Sequence, residues 1–339
     1  MKNFILAFLV ANGIAIQAQK LSFSPLLNEK ISIRAITLDQ DKIWYSGTDS
    51  KIGFVSLKDS TQNKQVLVSD KKLQFRTIAA DKKSVFAINI ESPAYFFKIN
   101  KNDLSYTIVH TDSDNKAFYD ALYYDDSDFY VFSDPEPNKK LKWGYFNNDK
   151  EIKINYFTKT IILNEGEAAF AASNSNIASS KDYVWLVTGG MSSKIYRYSK
   201  FTRIVKAIET PFVHGKASQG MYSIDFYNNN FGIAVGGDYT DQKANINNIA
   251  TTNDGGETWQ IQASGNNAGY MTCVKIRPKS KGKEMIAIGD QHISYSKDFG
   301  KTWMKISDEK NLYTCLWVDR DRLVFAGKDR ILKAHFTEQ

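Results

Sequence analysis

The chain is poor in the residues that usually carry metal, redox or nucleophilic chemistry. Its 339 residues include two cysteines and four histidines. His110, His214, His292 and His335 are scattered, and neither they nor the cysteines have zinc-ligand spacing. No Ser-His-Asp or Cys-His set can be read, and no Gly-x-Gly-x-x-Gly opens a helix after a strand. Gly236-Gly237 lies instead in a strand-turn-strand setting. A nucleotide site is therefore not expected, and no cofactor is called for. Apolar residues never recur at helical spacing over a long window, which excludes a helical bundle. Beyond the first 18 residues no apolar run is long enough to cross a bilayer as a helix. Charge of one sign is also scarce: 44 Lys and Arg stand against 37 Asp and Glu, a formal +7. Lysines are dispersed, and the compact clusters, Lys139-Lys140 and Lys279-Ser-Lys-Gly-Lys283, fall where turns are expected, so no nucleic-acid partner is indicated.

What is abundant is aromatic and strand-favouring sequence. There are 18 Tyr and 21 Phe, spread evenly along the chain, as suits an all-β protein. The first 18 residues differ from the rest. Lys2, an apolar run from Phe4 to Ile16 and the small residue Ala18 have the layout of a secretory signal peptide, which places the mature chain in the periplasm or outside the cell. Residues 19–339 then read as a single domain with no integral membrane segment after cleavage. Removing Lys2 lowers the charge from +7 to +6.

Two octapeptides organise that domain, Thr252-Asn-Asp-Gly-Gly-Glu-Thr-Trp259 and Ser296-Lys-Asp-Phe-Gly-Lys-Thr-Trp303. In each, an aspartate (Asp254, Asp298) can accept hydrogen bonds from turn amides and a glycine (Gly256, Gly300) supplies positive φ. Thr258-Trp259 and Thr302-Trp303 start the return strand. The 44-residue offset, 296 minus 252, matches the period of a four-stranded antiparallel blade repeated around an axis. Seven repeats are visible, with Arg34, Arg76, Asp120, Ala172, Ser223, Thr272 and Thr314 as one aligned column. The seventh ends after three strands, while Lys20–Leu27 is a strand without a partner. The expected fold is a seven-bladed β-propeller, with six blades as the alternative count, closed by pairing of the N- and C-terminal strands. Cys273 and Cys315 occupy equivalent places in consecutive repeats, where either a disulfide or two buried thiols fits.

The two octapeptides resemble the Asp-box, or BNR repeat, of sialidase-like propellers. Ala117-Phe-Tyr-Asp-Ala-Leu122, Phe132-Ser-Asp-Pro135, Gly166-Glu-Ala-Ala-Phe-Ala-Ala-Ser173, Thr188-Gly-Gly190 and Ser223-Ile-Asp-Phe226 extend the likeness, as does Gly232-Ile-Ala-Val-Gly-Gly-Asp-Tyr239. Together they are similar to the photosystem II stability and assembly factor-like propellers. The first four repeats depart from the pattern, with the box eroded to forms such as Tyr198-Ser-Lys-Phe-Thr202. The resemblance implies a rigid ring that binds a partner. A sialidase would need an arginine triad and an Arg-Ile-Pro; the latter is absent and the former cannot be assembled.

Two functional classes follow. The first is a noncatalytic scaffold, monomeric, that binds a protein partner at the channel mouth and serves assembly or stability of an envelope or secreted complex. Its candidate residues are Arg34, Arg76, Asp120, Asp134, Asp225, Asp238, Tyr239 and Asp290. Six repeats place an acid at the end of the second strand: Asp49, Glu91, Asp134, Asp238, Asp290 and Asp329. Such a ring suits a cation or a basic peptide. The second class binds or hydrolyses glycans, with Asp120 and Asp134, or Asp225 and Asp238, dividing acid and base roles.

Overall fold

The computed structural model describes residues 20–135, 139–149, 151–157 and 161–337. Residues 1–18, read in the sequence as a secretory signal peptide, lie outside the described residues. Among the described residues the only helix is a single 3-10 turn, Ser60–Gln62; the rest of the regular structure is strand. No helix among the described residues is long and apolar enough to cross a membrane.

Successive antiparallel strands form four-stranded meanders. The second repeat is Ala79–Ala80, Ser84–Ile88, Ala94–Asn100 and Tyr106–Asp112. The sixth is Cys273–Ile276, Met285–Gly289, His292–Ser296 and Met304–Ser307. Counted by continuous hydrogen bonding there are six sheets, the smaller of the two numbers expected. All seven sequence repeats are nonetheless present, because the first and seventh share one six-stranded sheet. They share it through two long strands, Lys20–Asp39 and Arg322–Thr337. Lys20 pairs with Thr337 and Asn28 with Arg330. The register then breaks, and Ile36 to Asp39 pair with Tyr45 to Lys42 of the first repeat. The start of the described chain thus supplies the outer strand that the seventh repeat lacks.

Burial explains why the repeats stack. Both faces of each meander are apolar, so each must cover its neighbours. Trp44, Phe54, Phe75 and Phe97 fill the space between repeats one and two. Trp143, Tyr130 and Tyr196 lie between three and four, and Trp185, Ile224 and Trp259 between four and five. Ile33, Tyr45, Val324 and Ile331 join the seventh repeat to the first. Each fully buried side chain of this size contributes about 1.5–3 kcal/mol.

The two matched octapeptides form the same corner. Thr258 donates its amide to Asp254 Oδ1 at 3.0 Å and its hydroxyl to Oδ2 at 2.6 Å. Thr302 does the same to Asp298, at 2.9 and 2.7 Å. Gly256 (φ 83°) and Gly300 (φ 77°) hold the turn. Each indole closes it by donating to the glycine carbonyl, Trp259 to Gly256 and Trp303 to Gly300. A Cβ on Gly256 would meet Trp185 of the preceding repeat at 3.0 Å, so the corner is also a contact between repeats.

The axis holds the main departure from the sequence reading. It is filled by the protein itself. The segment Ala172–Ser175, which enters from the irregular fourth repeat, hydrogen-bonds to all six others. Arg34 Nη1 donates to Ala172 O at 3.2 Å, and Thr314 Oγ1 to Ser173 O at 3.0 Å. Ser173 Oγ donates to Thr272 O at 2.6 Å. Asn174 Nδ2 donates to Ile78 O and Leu122 O, at 2.8 and 3.0 Å. Ser175 Oγ reaches Ser223 Oγ at 2.7 Å. Only small side chains fit where the inner strands converge, which accounts for the run Ala171-Ala172-Ser173.

Candidate functional site

The axial segment separates two openings. One is bordered by Arg34, Arg76, Asp120 and the ends of the second strands. The other is a cavity of about 460 Å³ floored by Ser173, Asn174 and Ser175, with Leu38, Tyr123, Lys275 and Trp317 in its wall.

At the first opening, β-bulges aim the side chains. Register shifts single out one unmatched residue on each of four inner strands: Arg34, Asp120, Tyr222 and Tyr313. A bulge re-aims its extra residue. This corrects the aligned column by one position in the fifth and seventh repeats. Tyr222 and Tyr313, not Ser223 and Thr314, are equivalent to Arg34, whereas Ser223 and Thr314 match Ala35. A pattern that alternates every two residues absorbs a bulge without any visible change of composition, so the slip left no trace in sequence.

Two sectors result. Aromatic rings line one: Phe170 stacks on Tyr222 with centroids 3.9 Å apart, and Tyr270 meets Tyr222 edge-on at 4.9 Å. Tyr239 stands beyond them, 50% exposed. Charge fills the other. The Arg34 guanidinium lies 4.1 Å above the Tyr313 ring. Burial and the neighbouring Arg34 both lower the pKa of Arg76, while Asp120 and Glu91 oppose them. Neither arginine forms an ion pair among the described residues.

Asp120 is 1% exposed and hydrogen-bonded to Asp134. Burial pushes Asp120 well above the usual carboxylate range, with the like charge of Asp134 adding to it. Burial pushes Asp134 up to about 6, against the hydrogen bond it receives from Asp120. The pair therefore shares a proton, Asp120 donating. Asp120 Oδ2 and Asp134 Oδ1 remain buried with no other partner.

The remaining candidates are spread out. Burial would raise Asp238, but hydrogen bonds from Thr240 and Ser218, with Lys216 at 3.8 Å, outweigh it and bring the carboxylate to about 2. Asp290 accepts from Gln242 at 3.2 Å, and burial keeps its pKa raised despite Arg34. Asp225 does not join Asp238. It faces Ile233 across the ladder, five residues from Asp238, or roughly 17 Å along the strand. It lies instead toward the second opening, accepting from Ile276 N at 2.7 Å. Two acids of the ring tie backbone: Glu91 accepts from Gln74 N at 2.9 Å and Asp329 from Ile31 N at 3.2 Å. Among the described residues no three His, Cys, Asp or Glu side chains converge on one point that could hold a metal ion.

Carboxyl spacing bears on hydrolysis. A glycosidase pair stands about 5–5.5 Å apart when retaining and roughly 6.5–9.5 Å when inverting, leaving space for the sugar carbon or a water. Asp120 and Asp134, in hydrogen-bond contact, leave neither space. Asp225 and Asp238 are much too far apart.

These features define a β-propeller with a filled axis and a polar, aromatic-walled mouth. No family model and no curated protein sequence matches the chain. Solved structures do. A structure described as YCF48 bound to D1 peptide is similar over 94% of this chain and 97% of that one, with TM-score 0.66 and 11% identity. A streptogramin B lyase matches over 94% and 98%, with TM-score 0.67 and 14% identity. The WD40 propeller domain of Doa1 matches over 96% and 98%, with TM-score 0.62 and 10% identity. At these identities the likeness shows the fold alone.

Proposed function

We propose that the protein is an exported, noncatalytic propeller scaffold that holds a segment of a protein partner across the first opening. The observation that carries this reading is the pair Arg34 and Arg76, half-buried and without ion pairs among the described residues. They border a mouth whose axis admits nothing further. Half-buried guanidiniums without an ion pair keep donors to satisfy, and a docking acidic or carbonyl-rich segment takes them up in bidentate fashion. The stacked Phe170, Tyr222 and Tyr270 and the exposed Tyr239 give such a segment an aromatic surface of the kind enriched at interfaces.

The peptide in the YCF48 structure is consistent with this use of the fold. The two Thr-Trp corners, bonded alike, support placing the chain among Asp-box propellers of the assembly-factor-like kind. The leader in residues 1–18 supports export to the periplasm or beyond, with residues 19–339 acting as one monomeric unit.

Affinity capture from an envelope extract tests the reading. The wild-type protein retains a stoichiometric partner that Arg34→Glu with Arg76→Glu loses, while Phe201→Ser, in the exposed turn between Lys194–Ser199 and Val205–Glu209, keeps it. A panel of sialosides and polysaccharides supplies the opposing outcome. Turnover abolished by Asp120→Asn or Asp238→Asn would replace the scaffold by a glycan-processing enzyme.

A further inference from the structure

The two cysteines play no part in that mouth. Cys273 and Cys315 stand at equivalent points on the inner strands of the sixth and seventh repeats, 0% and 1% exposed. They are free thiols. Their sulfurs lie 3.9 Å apart, with the Cys315 thiol donating to Cys273. The Cys273 thiol in turn donates to the Cys315 carbonyl at 3.7 Å.

The surroundings make the two sulfurs unlike. Around Cys273, the raising effect of burial is outweighed by the hydrogen bond from Cys315 and by Lys275, and the thiol comes down to about 6. The hydrogen bond with Cys273, together with burial, pushes Cys315 far up. Cys273 is thus the more readily ionised of the two thiols, and Cys315 the one that keeps its proton. A nucleophilic cysteine and its resolving partner need that asymmetry. The cavity reaches the pair from the Cys315 side: Cys315 is in the wall of the 460 Å³ space, beside Lys275, Thr314 and Trp317, and the Cys273 sulfur lies 3.9 Å behind it.

We propose that Cys273 and Cys315 are an oxidisable pair that closes into a disulfide between the sixth and seventh repeats when a small hydroperoxide enters the second opening. Cys273 gives its proton to water and, as the thiolate, attacks the terminal peroxide oxygen. The O–O bond breaks and the leaving alkoxide, or hydroxide from hydrogen peroxide, takes a proton from water. Cys273 is left as a sulfenic acid. The Cys315 sulfur then attacks that sulfur, the S–O bond breaks, and the expelled hydroxide takes the Cys315 proton. Two thiols and one hydroperoxide give one disulfide, one alcohol and one water; the sulfur pair loses two electrons and the peroxide gains them. Bond formation brings the sulfurs from 3.9 Å to about 2.05 Å, a movement of about 1.9 Å, small enough for side-chain rotation. The bridge would cross the apolar interface of Ile288, Leu312 and Phe325 and enclose a 42-residue separation. It would thereby restrict the unfolded chain.

The test treats the folded wild-type chain with hydrogen peroxide, then denatures it and alkylates it. A mass loss of about 2 units, disappearance of both alkylatable thiols and a linked Cys273–Cys315 peptide are expected. The thermal midpoint should rise by several degrees and return on reduction. In Cys315→Ser, which lacks the resolving thiol, Cys273 should gain about 32 mass units as sulfinic acid. The proposal is overturned if the wild-type thiols stay alkylatable at peroxide levels that consume a free cysteine derivative. Separate oxygen additions without a link, or links between two molecules, overturn it equally. The wild-type readout stands even if the variant folds poorly.

Discussion

Asp134→Asn isolates the cost of ionising a buried carboxyl pair. In the folded protein the Asp134 carboxyl is pushed from 3.8 to about 6, and it is half-buried. A folded pKa above the unfolded one gives stability that is complete below about pH 4 and lost as pH rises through 6. The shift is about 2 units, which at 1.36 kcal/mol per unit caps the loss at about 3 kcal/mol by pH 7; partial solvent access lowers it toward about 1–2 kcal/mol. Asparagine keeps an oxygen to accept the proton of Asp120 and cannot ionise. The variant should therefore match the wild type near pH 4 and exceed it by about 1–3 kcal/mol at pH 7, as read by urea unfolding at each pH. A variant less stable at pH 7, or a difference that does not change with pH, would refute the shared proton.

Other perturbations follow from the same contacts. His292, 4% exposed, donates to the Tyr270 carbonyl, and its burial brings it down to about 4. A depressed histidine loses stability as pH falls below about 6.5, so His292→Gln should remove about 2–3 kcal/mol of the loss between pH 7 and 4.5. Asp254→Ala and Asp298→Ala each delete three hydrogen bonds, two from the following threonine and one from Thr252 or Ser296, and should cost about 1–2 kcal/mol, additively because the corners lie in different sheets. Asn174→Ala strips the partners from Leu122 N, Leu122 O and Ile78 O at the axis and should cost about 2–4 kcal/mol in the same assay.

The repeats were readable because two physical signals agree: period-two alternation, and a turn that needs an acid, a glycine and an aromatic return. The orphan strand Lys20–Leu27 was readable for a related reason, since a three-stranded last repeat leaves an edge that must be covered. The proximity of Asp120 and Asp134 was legible too, because both sit at one end of adjacent strands. Asp225 and Asp238 satisfied the same rule of thumb and failed it, being at opposite ends of theirs. The axial segment went unseen. Its signal, the small residues Ala171, Ala172, Ser173 and Ser175 in an irregular repeat, reads in sequence as a loop, and only convergence of the other six repeats gives small size a meaning. The bulges that turn Tyr222 and Tyr313 inward were hidden likewise.

The central claim is that a partner meets the mouth at Arg34 and Arg76 and does not thread the ring. A photoreactive phenylalanine in place of Tyr239, half-exposed at that mouth, tests it against one in place of Phe201, 92% exposed elsewhere. The account predicts a single cross-linked partner from the first position, lost when Arg34 and Arg76 are changed to glutamate, and none from the second. Equal capture at both positions, or capture indifferent to the arginines, would contradict it.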